Sequence, residues 1–125
     1  MITIDQFEII LDHLAEELPK AFFKDLNLGI VIEENCKMHP NSTAETPLYI
    51  MGEYQTSQSG RGIVIYYGSF EKCYGSCSEE SLTRHMRKVL RHEFRHHMES
   101  LSGMRDLEII DKMELEKMTG IPAKD

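Results

Sequence analysis

Apolar side chains at the start of the chain recur at helical spacing. Phe7, Ile10, Leu11, Leu14 and Leu18 fall three or four residues apart and so share one helix face. Thr3 and Gln6 have the spacing of a capping box, and Ile2 and Phe7 that of a hydrophobic staple, which places the helix start here. Pro19 ends or kinks this helix, and residues 21–26 are expected to add a short helical turn. The pattern then changes. Residues 29–33 read as a short strand, and residues 35–47, with Pro40, Asn41, Ser42 and Pro47, as a loop. Residues 48–54 form a second strand candidate, and residues 55–62 carry the glycines and polar side chains of a hairpin turn. Residues 63–70 are the strongest strand candidate, rich in Ile, Val and Tyr, and their consecutive apolar positions predict burial on both faces for part of the length.

Ser78 is a good N-cap, and Glu79 and Glu80 suit the positive end of a helix dipole. The helix that follows is expected to run to about Leu101, with Gly103 as a natural residue just past its end. A last helix is expected over residues 107–118, ended by Gly120 and Pro122. There is no internal repeat, low-complexity tract or linker. The order of helix, strands, helix and helix predicts one α+β domain over residues 1–125, with a small mixed or antiparallel sheet of three or four strands.

Charge and cysteine content narrow the function classes. A chain of 125 residues with a formal charge of −7 repels phosphate backbones, so no nucleic-acid partner is expected. Three cysteines, Cys36, Cys73 and Cys77, imply no disulfide framework and favour a reducing compartment. Cys73 and Cys77 read as unpaired structural thiols rather than as a second metal site with Cys36 or His39. The N-terminus lacks the basic and apolar regions of a signal peptide. The longest apolar run, residues 63–67, is far short of the roughly 20 residues that span a bilayer. A cytoplasmic protein, monomer or homodimer, with no membrane contact is expected.

The chemistry sits on the second long helix. His92-Glu93-Phe94-Arg95-His96 is an HExxH sequence. Side chains four apart on a helix lie one turn above each other, so His92 and His96 can aim ring nitrogens at one point and supply two ligands to a zinc ion (Zn2+). Glu93 stands beside them as a general base. With Leu82 at the origin of a helical wheel, the apolar residues Met86, Val89, Leu90, Phe94, Met98 and Leu101 fall between about −20° and about +160°. His92 falls at about −80° and His96 at about −40°, flanking that stripe, with His85 and Glu99 in the same sector. His97 falls at about +60°, inside the stripe, and is expected to pack in the core. Arg84, Arg91 and Arg95 fall between about 180° and about 220°, on the expected solvent side. A catalytic zinc needs a third protein ligand. Asp106, three residues after Gly103, is the first candidate, Glu99 the alternative, and Glu108 and Asp111 remain possible. On the strong strand, Tyr66 and Tyr67 are expected to face opposite sides and to pack, although one could bond an oxyanion in the cleft.

These features resemble the small bacterial zincin-like metallopeptidases, or minimal zincins. The resemblance rests on Tyr66-Tyr67-Gly68-Ser69-Phe70, on HExxH followed by His97, and on residues 103–108, and it covers nearly the whole chain. The related Asp-zincin pattern is HExxHxxGxxD. This chain departs from it, with Glu99 in place of Gly and Ser102 in place of Asp, and restores GxxD four residues later at Gly103 and Asp106. The resemblance implies a zincin fold, in which an edge strand of a small twisted sheet lines a cleft above the HExxH helix. The expected function is zinc-dependent hydrolysis of a peptide or protein substrate, paired with the strand at residues 63–70. The alternatives are a metal- or peptide-binding module without turnover, and a metal-dependent ribonuclease using Arg84, Arg87, Lys88, Arg91 and Arg95.

Overall fold

The computed structural model describes residues 1–103. Helix α1 (Ile4–Glu16) starts on the expected capping box: Thr3 Oγ1 accepts the Gln6 N–H at 3.2 Å, and Gln6 Oε1 accepts the Thr3 N–H at 2.9 Å. Pro19 ends the segment, and a single 3-10 turn (Lys20–Phe23) follows. Strands β1 (Gly29–Glu33), β2 (Lys37–Met38), β3 (Tyr49–Ile50), β4 (Gly52–Ser57) and β5 (Gly60–Tyr66) come next, then helices α2 (Tyr67–Tyr74) and α3 (Glu79–Ser102). Three strands form a mixed sheet in the order β1-β5-β4, with β1 parallel and β4 antiparallel to β5. Strands β2 and β3 form a separate antiparallel pair. The described residues thus make a small α+β unit, as expected. The helix expected at residues 107–118 lies outside them. No helix among the described residues is long and apolar enough to cross a membrane.

The structure corrects several expectations. Residues 63–70 are not one strand: β5 ends at Tyr66, and Tyr67 opens α2. A short apolar run cannot tell a buried strand from a buried helix, and Tyr67, Gly68, Ser69 and Phe70 are all buried. Gly68 lets this helix pack closely on the chain after β1, because a side chain there would run into the backbone of Glu34, Asn35 and Cys36. Ser69 Oγ accepts the Lys37 N–H at 3.1 Å across the same contact. The loop at residues 35–47 contains β2, and the strand at residues 48–54 is divided into β3 and β4 at Met51. The hairpin tip shrinks to Gln58 and Ser59 between the paired residues Ser57 and Gly60. Most important for function, β5 is the central strand, paired on both sides, so it has no edge for a substrate to join. The edges are β1 and β4.

The core forms between α1, the sheet and α3. Phe7, Leu11, Leu14, Leu18 and Phe22 meet Ile63, Ile65, Phe70 and the expected stripe of α3, namely Leu82, Met86, Leu90, Phe94, Met98 and Leu101. Phe7 packs edge-on to both Tyr67 and Phe70, with ring centroids 5.2 and 5.3 Å apart. Gly52 lets β4 approach α3, since a Cβ there would meet Val89 Cγ1 and Ile65 Cδ1 at 3.1 Å. Arg91 was expected on the solvent side, but α1 lies there. Glu17 accepts bonds from Arg87 Nε and Nη2 at 3.0 and 3.1 Å and from Arg91 Nη2 at 3.1 Å, tying the end of α1 to α3.

Gly68 and Gly103 separate packing from propensity. Gly103 ends α3 with φ −62°, a helical conformation open to any residue, and nothing approaches its missing Cβ closer than 3.5 Å. Gly103→Ala is expected to change stability by less than about 0.5 kcal/mol in urea denaturation. Gly68→Ala gains roughly 1 kcal/mol of helix propensity but overpacks a backbone contact, and is expected to destabilise by about 1–3 kcal/mol net.

Candidate metal centre

Ser78 caps α3, its Oγ accepting the Ser81 N–H at 3.1 Å, and Glu79 and Glu80 fill the first turn. The helix carries His92, Glu93 and His96 unbroken on its middle turns. His92 Nε2 and His96 Nε2 lie 3.1 Å apart, with ring planes at 89°. Two zinc–nitrogen bonds of about 2.0–2.1 Å spanning that separation subtend roughly 100°, close to tetrahedral. The two imidazoles therefore fit a shared metal ion with little rearrangement. His92 is half-buried and His96 exposed, as expected for residues flanking the apolar stripe.

Glu93 is 6% exposed. Burial pushes its carboxyl above the ordinary value, and the charge of Glu53 adds to this, while His92, His96 and the Tyr54 backbone amide pull the other way. Sequence reasoning placed Glu93 beside the histidines without recognising this burial. The signal was present, because Glu93 falls at about +20° on the wheel, within the apolar stripe.

His97 lies one residue beyond the motif and has 0% exposure, as expected from its wheel position. It is also fully partnered. Tyr54 Oη lies 2.8 Å from Nδ1, and the Lys24 carbonyl 2.7 Å from Nε2. The carbonyl can only accept, so Nε2 carries the proton and Nδ1 accepts the Tyr54 hydroxyl. Burial lowers the His97 pKa, which keeps the ring neutral. Tyr54 stands on β4, so this bridge fixes the edge strand against α3.

Glu99 does not share the point on which the two Nε2 atoms converge. Its Oε1 lies 3.2 Å from His96 Nδ1, the opposite ring nitrogen, and its Oε2 lies 3.6 Å from Arg95 Nε. Among the described residues, no group of three or more His, Cys, Asp or Glu side chains is arranged to hold a metal ion. Asp106, Glu108 and Asp111 lie outside the described residues.

The remaining candidates have structural work. Tyr66 Oη donates to Glu53 Oε1 at 2.6 Å, and Lys37 Nζ contacts both Glu53 oxygens at 2.8 and 2.9 Å. Hydrogen bonding from Lys37, then from Tyr66, holds the Glu53 carboxyl below its ordinary value. Tyr67 Oη donates to the Ile2 carbonyl. His85 stacks on Tyr74, with ring centroids 3.9 Å apart and planes within 9°. Cys36, Cys73 and Cys77 are free thiols. Arg84 pairs with Glu80, Arg87 and Arg91 with Glu17, and Arg95 with Glu99.

No family model matches the chain. A solved structure of a conserved hypothetical protein from Thermo thermophilus is similar over 82% of this chain and 99% of that one, with 29% sequence identity and a TM-score of 0.69. That description names no activity. Over an alignment of 61 residues that covers 45% of the chain, the sequence is 38% identical to an isoleucine–tRNA ligase from a Synechococcus species. The matched stretch spans 6% of the length of that ligase.

The buried polar groups generate two predictions. The folded Glu93 carboxyl holds its proton more tightly than the unfolded one, so its contribution to stability is greatest below pH 4.5 and is lost as pH rises through the folded pKa. Glu93→Gln is therefore expected to raise stability at pH 7 by about 1 kcal/mol, with the difference from the parent shrinking toward pH 4.5 in thermal melts. A Glu93→Gln protein less stable than the parent at pH 7 contradicts the burial. Tyr54→Phe removes the hydroxyl that His97 Nδ1 accepts and is expected to cost about 1–3 kcal/mol in urea denaturation; an unchanged midpoint would show that the bridge is not held in solution.

Proposed function

We propose that the chain is a zinc-dependent peptidase of the zincin-like kind. The observation that carries this reading is the convergence of His92 and His96 Nε2 at 3.1 Å beside a carboxylate buried with its proton affinity raised. His92 and His96 would hold the zinc, with Asp106 as the expected third ligand. When bound, zinc supplies a Lewis acid that polarises a carbonyl and acidifies water.

The chain's own residues do the rest. Glu93 takes a proton from the attacking water and returns it to the leaving amine, and a carboxylate with raised proton affinity is better matched to that task near neutral pH. The core against which Glu93 is buried restricts its motion. Strand β4 pairs only with β5 within the sheet, which leaves its other side as the edge nearest α3. An extended peptide would add to β4, rather than to the central β5, by main-chain hydrogen bonding.

Two alternatives use the same residues differently. A binding module without turnover needs the histidine pair but has no use for a buried carboxylate that costs stability, and this favours catalysis. A ribonuclease needs exposed cations, and four arginines of α3 already pair with carboxylates.

Metal titration and peptide digestion of the full chain test the proposal together. One zinc per chain is expected, and His92→Ala is expected to weaken binding by at least the roughly 100-fold that loss of an outer hydrogen-bond partner can cost. Glu93→Gln should retain zinc and lose about 100- to 10,000-fold in kcat on a peptide library. Equal zinc binding by His92→Ala would overturn the site. Equal cleavage by Glu93→Gln would overturn the general base, and zinc binding with no cleavage by the parent would leave the binding module.

A further inference from the structure

We infer that Glu99 is a positioning residue for His96: its carboxylate holds the ring in the Nδ1–H tautomer, so that the Nε2 lone pair faces His92 and the metal. This rests on the zinc reading above. It extends that reading by giving Glu99 a role other than third ligand.

The geometry follows from helix spacing. Glu99 is three residues beyond His96 and four beyond Arg95, so one carboxylate reaches both side chains across a single turn. Oε1 lies 3.2 Å from His96 Nδ1, and Oε2 lies 3.6 Å from Arg95 Nε. An ionised carboxylate can only accept, so Nδ1 must donate. Neutral imidazole carries one proton, so His96 Nε2 is then a bare lone pair. That lone pair is 3.1 Å from His92 Nε2. The Glu99 contact thus leaves the His96 Nε2 lone pair on the side of the ring that faces His92. In that tautomer His96 is in the form a metal ion requires.

This arrangement also explains why Glu99 is a poor candidate for the third ligand. A carboxylate on Nδ1 lies across the imidazole ring from Nε2 and cannot reach the same ion while making that bond. A carboxylate on the non-ligating nitrogen is instead a general means of fixing the orientation and basicity of a metal-bound histidine. The contact adds little to the fold, because the His96 and Glu99 side chains are 46% and 54% exposed. Its effect should therefore be read in metal affinity and in the tautomer, not in melting.

The test compares the parent, Glu99→Ala and Glu99→Gln in the full chain. Zinc affinity is measured by competition with a chelator, and the ring tautomers of the chelator-treated protein by long-range proton–nitrogen NMR. Glu99→Ala should bind zinc about 10- to 100-fold more weakly with an unchanged thermal midpoint. Its His96 should shift from Nδ1–H toward a mixture of tautomers. Glu99→Gln keeps a carbonyl acceptor and should stay within about fivefold of the parent. Parent-like affinity and tautomer in Glu99→Ala would overturn the proposal. Glu99→Gln as weak as Glu99→Ala would also overturn it, pointing to Glu99 as a direct ligand. The tautomer reading needs no metal. A parent that binds no zinc yet holds His96 as Nδ1–H only while Glu99 is present would refute the peptidase and keep the positioning role.

Discussion

His97 has no exposed surface, and both of its nitrogens are taken by groups far away in sequence: the Tyr54 hydroxyl on β4 and the Lys24 carbonyl after the 3-10 turn. A buried imidazole without those partners would carry a desolvation penalty comparable to a large share of a small domain's stability. The fold meets this requirement by bringing β4 down onto α3, where Gly52 gives up a side chain to let the two elements touch. His96 is the immediate neighbour of His97 on the helix. The contact that seals the core therefore also pins β4 against the helix that carries His92, Glu93 and His96.

The apolar face of α3 is interrupted a second time, by Glu93. The two interruptions are resolved differently. His97 is satisfied by hydrogen bonds and stays neutral. Glu93 is left with a raised proton affinity, opposed by the neighbouring histidines and the Tyr54 amide and reinforced by the charge of Glu53. Glu53 is itself held ionised by Lys37 and Tyr66. The buried Glu93 carboxyl lies within one helical turn of His92 and His96, and the proposed metal site rests on that pairing.

Much of this was legible in the sequence. The capping box at Thr3 and Gln6, the apolar stripe of α3, the burial of His97 and the flanking position of His92 and His96 all follow from spacing along regular helices, where side-chain direction repeats. What failed depended on contacts between distant segments. Tyr67 to Phe70 are apolar enough for a strand, and no local pattern shows that Gly68 packs as part of a helix against the backbone of residues 34–36. The central position of β5 is set by the parallel pairing of β1 across the hairpin, which no local pattern encodes. Arg91 lies on the polar side of its wheel, but a wheel does not show that Glu17 waits there. The choice between Asp106 and Glu99 was open for the same reason. Spacing allowed Glu99 to reach the site, and only the structure places it on the far nitrogen of His96.

The central claim is that His92 and His96 together hold a zinc ion. X-ray absorption at the zinc edge of the loaded full-length protein tests it most directly, because it reads the donor atoms. Two imidazole ligands with nitrogen and oxygen donors at about 2.0–2.1 Å are expected, falling to one imidazole in His96→Ala. Sulfur scattering at about 2.3 Å, which would place the ion on Cys36, Cys73 or Cys77, or a shell lacking imidazole altogether, would contradict it.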